Sequence, residues 1–318
     1  MRTAYITHSA CQQHDTGSGH PECASRLYAI EDQLISTGLR DVLRYVDAPE
    51  VTAEQLLRVH TVEHVETVSA MIPDSGYARL DPDTIVSPNS LVAAYRAAGA
   101  VVAAVDLVAT GEMDSAFCAV RPPGHHAESN RAMGFCLFNN IAVGVAHALE
   151  AHNIGKVAVL DFDVHQGNGT EEMFADDDRV LFCSTFQHPF FPFTPVPPNN
   201  ANRVNVPLDA TAGSEEFRTA VADHWMPAIE RFRPEMIFVS AGFDAHVDDE
   251  MSHVSLTDAD YRWVADQIVA VATDFASGRI VSTLEGGYEL RSLARCVATH
   301  IRGLMRIGTP IHHNTKEL

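Results

Sequence analysis

Short apolar runs alternate with longer segments of helical period along this chain, and no other feature of the sequence limits the fold as strongly. The alternation predicts βαβ units, which assemble into a mostly parallel sheet. The predicted strands are residues 4–7, 116–120, 156–162, 180–185, 236–241 and 279–284. The predicted helices are residues 25–36, 62–71, 90–109, 140–152, 214–231, 258–275 and 291–305. We therefore expect an α/β protein built around one central sheet.

The length and the apolar content of the chain allow one large core. Its 318 residues are 46% apolar, and no Pro/Gly/Ser-rich linker divides them, so we expect a single domain over residues 1–318. The longest apolar helix candidate, residues 91–108, is interrupted by Arg96 and Asp106, and the first residues, MRTAYITHSA, contain no apolar signal core. We expect a soluble, cytoplasmic protein.

Charge and cysteine content argue against several functions. The 22 basic and 42 acidic residues give a net charge of −20, which disfavours binding to nucleic acid or to an anionic membrane and would attract a cationic ligand. An acidic surface can also serve solubility alone. The six cysteines form no Cys-x-x-Cys pair, and we interpret them as reduced core residues and not as a disulfide framework or a thiolate metal site.

Chemically unusual residues follow four of the predicted strands, each time at the C-terminal end. AFCAV runs into RPPGHH, VAVLDF into Asp163 and His165, MIFVSAGF into Asp244, and IVSTL into EGGY with Tyr288. In open α/β sheets this edge binds ligands, because the loops there converge on a crevice. The four signals therefore predict one shared site.

The run VLDFDVH contains three potential metal ligands on one side of one strand. Side chains alternate along a strand, so Asp161, Asp163 and His165 point the same way. A metal held by Asp163, His165 and Asp244 would keep a coordination position open for catalysis, although Asp244 could instead only cap the next helix. Such ligands suit zinc, and also iron or cobalt.

A metal held by two carboxylates acidifies its water less than one held by three neutral imidazoles, so this site needs a separate base. His125 and His126 are the candidates, since imidazole titrates near neutrality. Asp161 could hold one of them through its second ring nitrogen. Tyr288, on a flexible Gly-Gly hinge, could donate its hydroxyl to the oxyanion of a tetrahedral intermediate. Each signal alone has a structural explanation, but together they favour amide hydrolysis.

Five long motifs resemble a known family, the zinc-dependent histone deacetylase superfamily, which includes acetylpolyamine amidohydrolases and other bacterial deacetylases. They are, in order, GHPECASRL, RPPGHHAESNRAMGFCLFNN, VLDFDVHQGNGTEEMF, VSAGFDAH and LEGGYEL. The resemblance implies the arginase/deacetylase fold, with helices on both faces of the sheet and the active site at the C-terminal strand ends. The implied site residues are Asp163, His165 and Asp244 on zinc, His126 as general base beside His125, Asp161 as the partner of His125, and Tyr288 as the group that activates the carbonyl.

The second histidine is where the sequence looks like the class II branch of this family. Asn168, in HQGNGT, stands where another branch has a carboxylate partner for that histidine. An amide polarises His126 less than a carboxylate would, which favours the neutral, base-competent imidazole. The resemblance also implies a structural monovalent cation, usually potassium, near Asp161, Asp163, His165 and Ser184.

The resemblance further implies a narrow channel for the acyl-lysine stem. Gly134, Phe135 and Phe191 match its walls, whereas Phe190 and Phe193 could be ordinary core residues. The residue that matches the gatekeeper at the rim is Met251, with Glu250 beside it. A carboxylate at the gate would favour a substrate with a second ammonium, and an apolar methionine a wider range of acyl-lysines.

The leading hypothesis is a zinc-dependent deacetylase acting on an acylated primary amine, with acetyl-lysine preferred over acetylpolyamine as the substrate. Two alternatives stay open: a binuclear manganese ureohydrolase and a non-catalytic module that binds acylated amines. A purely structural metal site is disfavoured by the open coordination position and by the two histidines. A homo-oligomer is also compatible with the sequence, since the Pro-rich segment HPFFPFTPVPPNN could shape the channel of a neighbouring subunit.

Overall fold

A computed structural model of the chain describes residues 1–307, and a parallel sheet of eight strands forms the centre of the molecule. The strands are β1 (Thr3–Thr7), β2 (Arg44–Asp47), β3 (Ala78–Arg79), β4 (Ile85–Val86), β5 (Ser115–Cys118), β6 (Val157–Asp161), β7 (Val180–Gln187), β8 (Arg203–Leu208), β9 (Met236–Ala241) and β10 (Ile280–Leu284). The order in the sheet is β2-β1-β5-β10-β9-β6-β7-β8, and β3 pairs with β4 in a separate antiparallel hairpin.

The helices connect these strands. They are α1 (Ser25–Ser36), α2 (Ala53–Leu56), α3 (Val62–Ala70), α4 (Ser90–Ala109), α5 (Asn140–Ala151), α6 (Asn168–Met173), α7 (Ser214–Ala220), α8 (Met226–Phe232), α9 (Asp258–Phe275) and α10 (Leu290–Leu304). Helix α4 packs on α5, and α10 packs on both α1 and α9. Every residue of β5, β6, β9 and β10 is buried, so both faces of the central strands are covered. The expected α/β architecture is confirmed.

Helix α4 is the long apolar segment of the sequence. It is long and apolar enough to cross a membrane by length and composition, but 61% of its most apolar window is buried inside the protein. A Cβ at Gly99 of this helix would overlap the backbone of Pro49, which shows how closely the neighbouring loop packs. Contacts with β1, β5 and β10 identify α4 as a core helix.

All six predicted strands are present, and the four strands that were not predicted are the edge strands β2 and β8 and the separate β3–β4 hairpin. Strands β2 and β8 were not predicted, because RYVD and RVNVPL mix polar with apolar residues and the second contains Pro207, a residue that sheets tolerate at their edges. The single helix predicted over 214–231 is divided by a π-helical turn at Val221–Trp225. Pro227, the second residue of the continuation α8, lacks the N–H of a regular helix, which explains the wider turn. The predicted single domain stays a prediction, and residues 308–318 lie outside the described part of the chain.

The register of the central strands brings their C-terminal ends level. Asp161 at the end of β6 pairs with Ser240 of β9, and Ser240 pairs with Thr283 of β10. Thr283 in turn pairs with Cys118 at the end of β5. The loops that follow these four strands therefore emerge side by side.

Candidate active site

The four sequence signals meet at this edge of the sheet. His125 follows β5, Asp163 follows β6, Asp244 follows β9 and Tyr288 follows β10. The four strands are neighbours in the order β5-β10-β9-β6. Their loops therefore form the kind of crevice in which open α/β sheets bind ligands.

Asp163, His165 and Asp244, called here the Asp-His-Asp cluster, are buried together. One ligand atom from each lies within 4.8 Å of the other two. Nδ1 of His165 lies 3.1 Å from Oδ1 of Asp163 and 3.2 Å from Oδ2 of Asp244. Burial alone would lower the pKa of His165, but these carboxylates raise it to about 10. A divalent cation can replace that proton, because a metal binds the neutral imidazole.

Backbone donors satisfy only part of the Asp-His-Asp cluster. Oδ1 of Asp244 accepts a hydrogen bond from the N–H of Val164 at 3.0 Å, and Oδ2 of Asp163 accepts one from the N–H of Gly286 at 2.8 Å. Oδ2 of Asp244 is buried and accepts no hydrogen bond from the described residues. Burial and the charge of Asp163 raise the pKa of Asp244. A buried oxygen that lacks a backbone donor, beside an imidazole and a second carboxylate, fits a divalent cation.

Two further groups of potential ligands lie among residues 1–307: Asp106 with His147 and His152, and His246 with Asp258 and Cys296. In the first, Arg58 donates to Nδ1 of His147 at 3.0 Å, so Nε2 carries the proton and donates to Asp106 at 2.8 Å. In the second, burial and the neighbouring Asp258 raise the pKa of the Cys296 thiol, so it stays protonated. Hydrogen bonds explain both groups without a metal.

The tandem histidines have different partners and different pKa values. Nδ1–H of His125 donates to Oδ2 of Asp161 at 3.0 Å. Burial alone would lower the pKa of His125, but Asp163 and Asp161 raise it to about 10. Burial and the nearby His125 and His165 hold the pKa of His126 well below its usual value. His126 is therefore the neutral imidazole that can accept a proton.

The tautomer of His126 follows from its contact with Asn168. The amide nitrogen of Asn168 donates to Oε1 of Glu128 at 2.8 Å, which turns the amide oxygen toward the imidazole. This oxygen lies 2.9 Å from Nδ1 of His126 and can only accept, so Nδ1 carries the proton. Nε2 of His126 is then the basic nitrogen.

The backbone that leads to Tyr288 is held at successive residues. The N–H of Gly286 donates to Asp163, and Nε of Arg26 donates to the carbonyl of Gly287 at 2.7 Å. A Cβ at Gly286 would overlap carboxylates of the Asp-His-Asp cluster. These glycines therefore allow close approach, and the flexible hinge expected from the sequence is instead a hydrogen-bonded segment.

The side chain of Tyr288 is a hydrogen-bond donor in this environment. Burial, together with the charge of Asp244, raises its pKa well above the usual value, so the hydroxyl stays protonated. Its ring lies 5.9 Å from the ring of Phe135, centre to centre, and the guanidinium of Arg26 lies 5.0 Å from the ring centre. Tyr288 can therefore donate to a developing oxyanion.

A cavity of 270 Å³ opens on these groups. The lining residues are Asp83, His126, Gly134, Phe135, His165, Phe190, Phe191, Phe193, Met251 and Tyr288. Phe191 meets His126 edge to face at 5.0 Å, and Phe190 stacks on His165 at 5.5 Å. Phe190 and Phe193, for which the sequence left a core position open, thus both face the cavity.

The rim differs from the expectation in one respect. Met251 lines the cavity, whereas Glu250 is exposed and is not part of the lining. The carboxylate of the lining is Asp83, whose Oδ1 accepts a hydrogen bond from the N–H of Gly134 at 3.1 Å. Burial and the neighbouring Asp81 raise the pKa of Asp83 to about 6. Sequence reasoning missed Asp83, because the short β3–β4 hairpin that carries it has no periodic pattern.

Sequence reasoning also missed a buried ionic cluster, formed by Glu22, Arg26 and Arg121, that supports the site. Oε2 of Glu22 accepts a hydrogen bond from Arg121 at 2.8 Å, and Oε1 lies 3.2 Å from Arg26. Arg26 also donates to the carbonyl of Glu285. Glu22 and Arg121 lie in quoted motifs, but 99 positions separate them, so their pairing gave no local signal.

Glu285 connects β10 to the tandem histidines. Its Oε2 accepts hydrogen bonds from the N–H groups of Gly124 at 2.7 Å and of His125 at 3.1 Å. Burial raises the pKa of Glu285 to about 7. Glu285 therefore joins the start of the loop that carries Tyr288 to the backbone of the loop that carries His125 and His126.

Comparisons with known proteins agree with this geometry. Residues 20–304 match a family model described as "Histone deacetylase domain". The chain is 35% identical to the histone deacetylase-like amidohydrolase of Pseudomonas aeruginosa over 334 residues, which covers 98% of this chain and 88% of the relative. It is 37% identical to Histone deacetylase 5 of Arabidopsis thaliana over 89% of this chain, but spans only 46% of that relative. Among solved structures, the crystal structure of the HDA15 HD domain matches with a TM-score of 0.90 at 33% identity, covering 98% of this chain and 91% of that one.

Proposed function

Because the chain belongs to the histone deacetylase family, we propose that it removes acetyl or another short acyl group from the amino group of lysine side chains. The observation that carries the proposal is the cavity of 270 Å³, whose aromatic walls lead to His126, His165 and Tyr288. An apolar cavity with a few polar groups suits an aliphatic stem that ends in an amide.

Asp163, His165 and Asp244 would hold a divalent ion, which we propose to be zinc, with iron or cobalt as substitutes. When bound, the ion supplies Lewis acidity and makes a water more acidic. The buried Oδ2 of Asp244, which accepts no hydrogen bond from residues 1–307, supports this assignment. Chelation should abolish hydrolysis, and metal analysis should find one divalent ion per chain at this site, whereas a binuclear manganese ureohydrolase would need two.

The protons of amide hydrolysis are assigned to groups of this chain. Nε2 of His126 accepts a proton from the attacking water and returns it to the leaving amine. The hydroxyl of Tyr288 donates to the carbonyl oxygen as negative charge develops there. Asp161 holds His125, and Asn168 holds His126, through the hydrogen bonds at Nδ1.

Replacing Tyr288 tests this assignment. Tyr288→Phe should lower kcat by about 10²- to 10³-fold, the usual cost of removing one oxyanion donor, while the metal content stays the same. Tyr28→Phe, at an exposed tyrosine, is the matched control. Wild-type turnover by Tyr288→Phe would refute the role of this hydroxyl.

The rim favours acyl-lysine over acetylpolyamine, since Met251 lines the cavity and Glu250 does not. We would compare kcat/KM of the zinc-loaded protein on acetyl-lysine peptides and on acetylated putrescine and spermidine. If a polyamine wins by tenfold, about 1.4 kcal/mol, Asp83 becomes the group that binds the distal ammonium, and Asp83→Asn should remove that preference. Binding of acetyl-lysine without turnover would indicate a binding module.

We also propose a monovalent cation, potassium, near Asp161, Asp163, His165 and Ser184. Ser184 pairs with Asp161 across β6 and β7, and its hydroxyl is buried without a hydrogen-bond partner among the described residues. A cation held beside it would satisfy that oxygen.

The proposed location is the cytoplasm. The six cysteines are free and five of them are buried, as in a reducing compartment. The net charge of −20 supports a substrate that carries an amine, and no role in binding nucleic acid or anionic membranes.

A further inference from the structure

We propose that Asp249 is a positioning residue that fixes Tyr288 relative to the channel gate at Met251. The proposal rests on the proposed function, because it assigns Asp249 a part in the turnover for which Tyr288 is the oxyanion donor. No sequence motif had singled out this side chain, and it does not line the cavity.

The carboxylate of Asp249 accepts hydrogen bonds from two different loops. Oδ2 accepts from the N–H of Tyr288 at 2.6 Å and from the N–H of Glu289 at 3.0 Å. Oδ1 accepts from the N–H of Met251 at 3.0 Å. The residue is only 6% exposed, so these bonds are little weakened by competition with water.

The position of the two donors explains why Tyr288 needs this anchor. Gly287, with a φ of +116°, precedes it, and α10 begins at Leu290. Between the glycine and the helix, the two backbone N–H groups point to Asp249 and set the direction in which the ring leaves the backbone. A catalytic group displaced by about 1 Å can lose about 10²-fold in rate.

A carboxylate suits this task better than an amide. It offers two acceptor oxygens, one for each loop, whereas asparagine has one oxygen and an NH₂ group that would face a backbone N–H. Asp249→Asn should therefore keep the shape of the side chain but lose the hydrogen bonds to one loop, and Asp249→Ala should lose those to both loops.

The test compares the full-length, metal-loaded wild type with Asp249→Asn, Asp249→Ala and the control Asp248→Asn, which changes the exposed neighbouring carboxylate. On acetyl-lysine peptide we expect Asp249→Ala to lower kcat by about 10- to 100-fold, with KM and metal content nearly unchanged. The kcat of Asp249→Asn should lie between those of Asp249→Ala and the wild type, and the kcat of Asp248→Asn should match that of the wild type. If Asp249→Ala does not fold, Asp249→Asn alone carries the comparison.

A double-mutant cycle separates positioning from general stability. If Asp249 acts through Tyr288, then Asp249→Asn should lower kcat less than about twofold in a Tyr288→Phe background. Losses that multiply in the double variant, or a wild-type kcat in both Asp249 variants, would overturn the inference and leave the proposed function intact. A metal-loaded wild type without hydrolytic activity would overturn both.

Discussion

Two buried charge clusters contact the segment that leads to Tyr288, and they differ in how their carboxylates are satisfied. Glu22 lies between the guanidinium groups of Arg26 and Arg121. Asp244 lies beside another carboxylate, and its Oδ2 accepts no hydrogen bond within residues 1–307. The first cluster contains its own counter-charges, and the second leaves room for a cation.

The pKa values of the two acids move in opposite directions. Burial alone would raise the pKa of Glu22, but Arg121, His14 and Arg26 lower it to about 2. Burial and Asp163 raise that of Asp244. Two equally buried carboxyl groups thus have pKa values shifted in opposite directions, because the charges close to them differ. The ionic cluster of Glu22, Arg26 and Arg121 is part of the structural frame, and the Asp-His-Asp cluster is the candidate for chemistry.

The largest effect on activity should come from a change in the Asp-His-Asp cluster. Asp244→Asn removes a proposed ligand and should lower activity by about 10³-fold or more, with loss of the bound metal. Asp106→Asn, in the cluster explained by hydrogen bonds, is the control for metal content. An Asp244→Asn protein that keeps its metal would break the comparison.

A change in the ionic cluster of Glu22, Arg26 and Arg121 should lower the stability of the fold. Glu22→Gln leaves Arg26 and Arg121 without their buried counter-charge and should lower the free energy of unfolding by about 3–5 kcal/mol, as breaking a buried ion pair does. Urea unfolding measures this loss. A loss below about 1 kcal/mol, the range of surface pairs, would show that Glu22 is not the centre of the frame.

Acid should weaken the same cluster. The pKa of Glu22 is about 2 when folded, against a usual value of 4.5, so its ionised form stabilises the fold above about pH 4.5. That contribution, roughly 3 kcal/mol, should be lost as the pH falls from about 4.5 to about 2. Unfolding of the wild type should therefore depend more steeply on pH in this window than that of Glu22→Gln. Equal slopes would contradict the assignment.

The smallest effect is expected at a surface pair. Glu112 faces Arg44 at 2.5 Å, with both side chains about half exposed. Glu112→Gln should change the free energy of unfolding by less than about 1 kcal/mol, because water and salt screen the pair. It is the matched control for Glu22→Gln, and a comparable loss in both variants would remove the distinction between frame and surface.

The central strands were predictable because their residues are mostly apolar, which is the pattern of strands covered on both faces. The edge strands β2 and β8 were not predictable, since their residues are of mixed polarity and each strand pairs with only one neighbour. Within the site, the positions of Asp163, His165 and Asp244 at strand ends were visible in the motifs. The sequence did not show which rim residues line the cavity: Asp83 does and Glu250 does not.

By itself, the sequence determined the order of the six predicted strands and the helices between them, the family, and which reactive side chains follow the central strands. These follow from local periodicity and from motifs within single segments. Only the tertiary structure decided that Glu22 reaches Arg121, that Asp249 reaches the N–H of Tyr288, and that Oδ2 of Asp244 accepts no hydrogen bond from the described residues. Charge pairing and burial depend on distances between segments far apart in the chain, and those distances exist only once the sheet has brought the strand ends together.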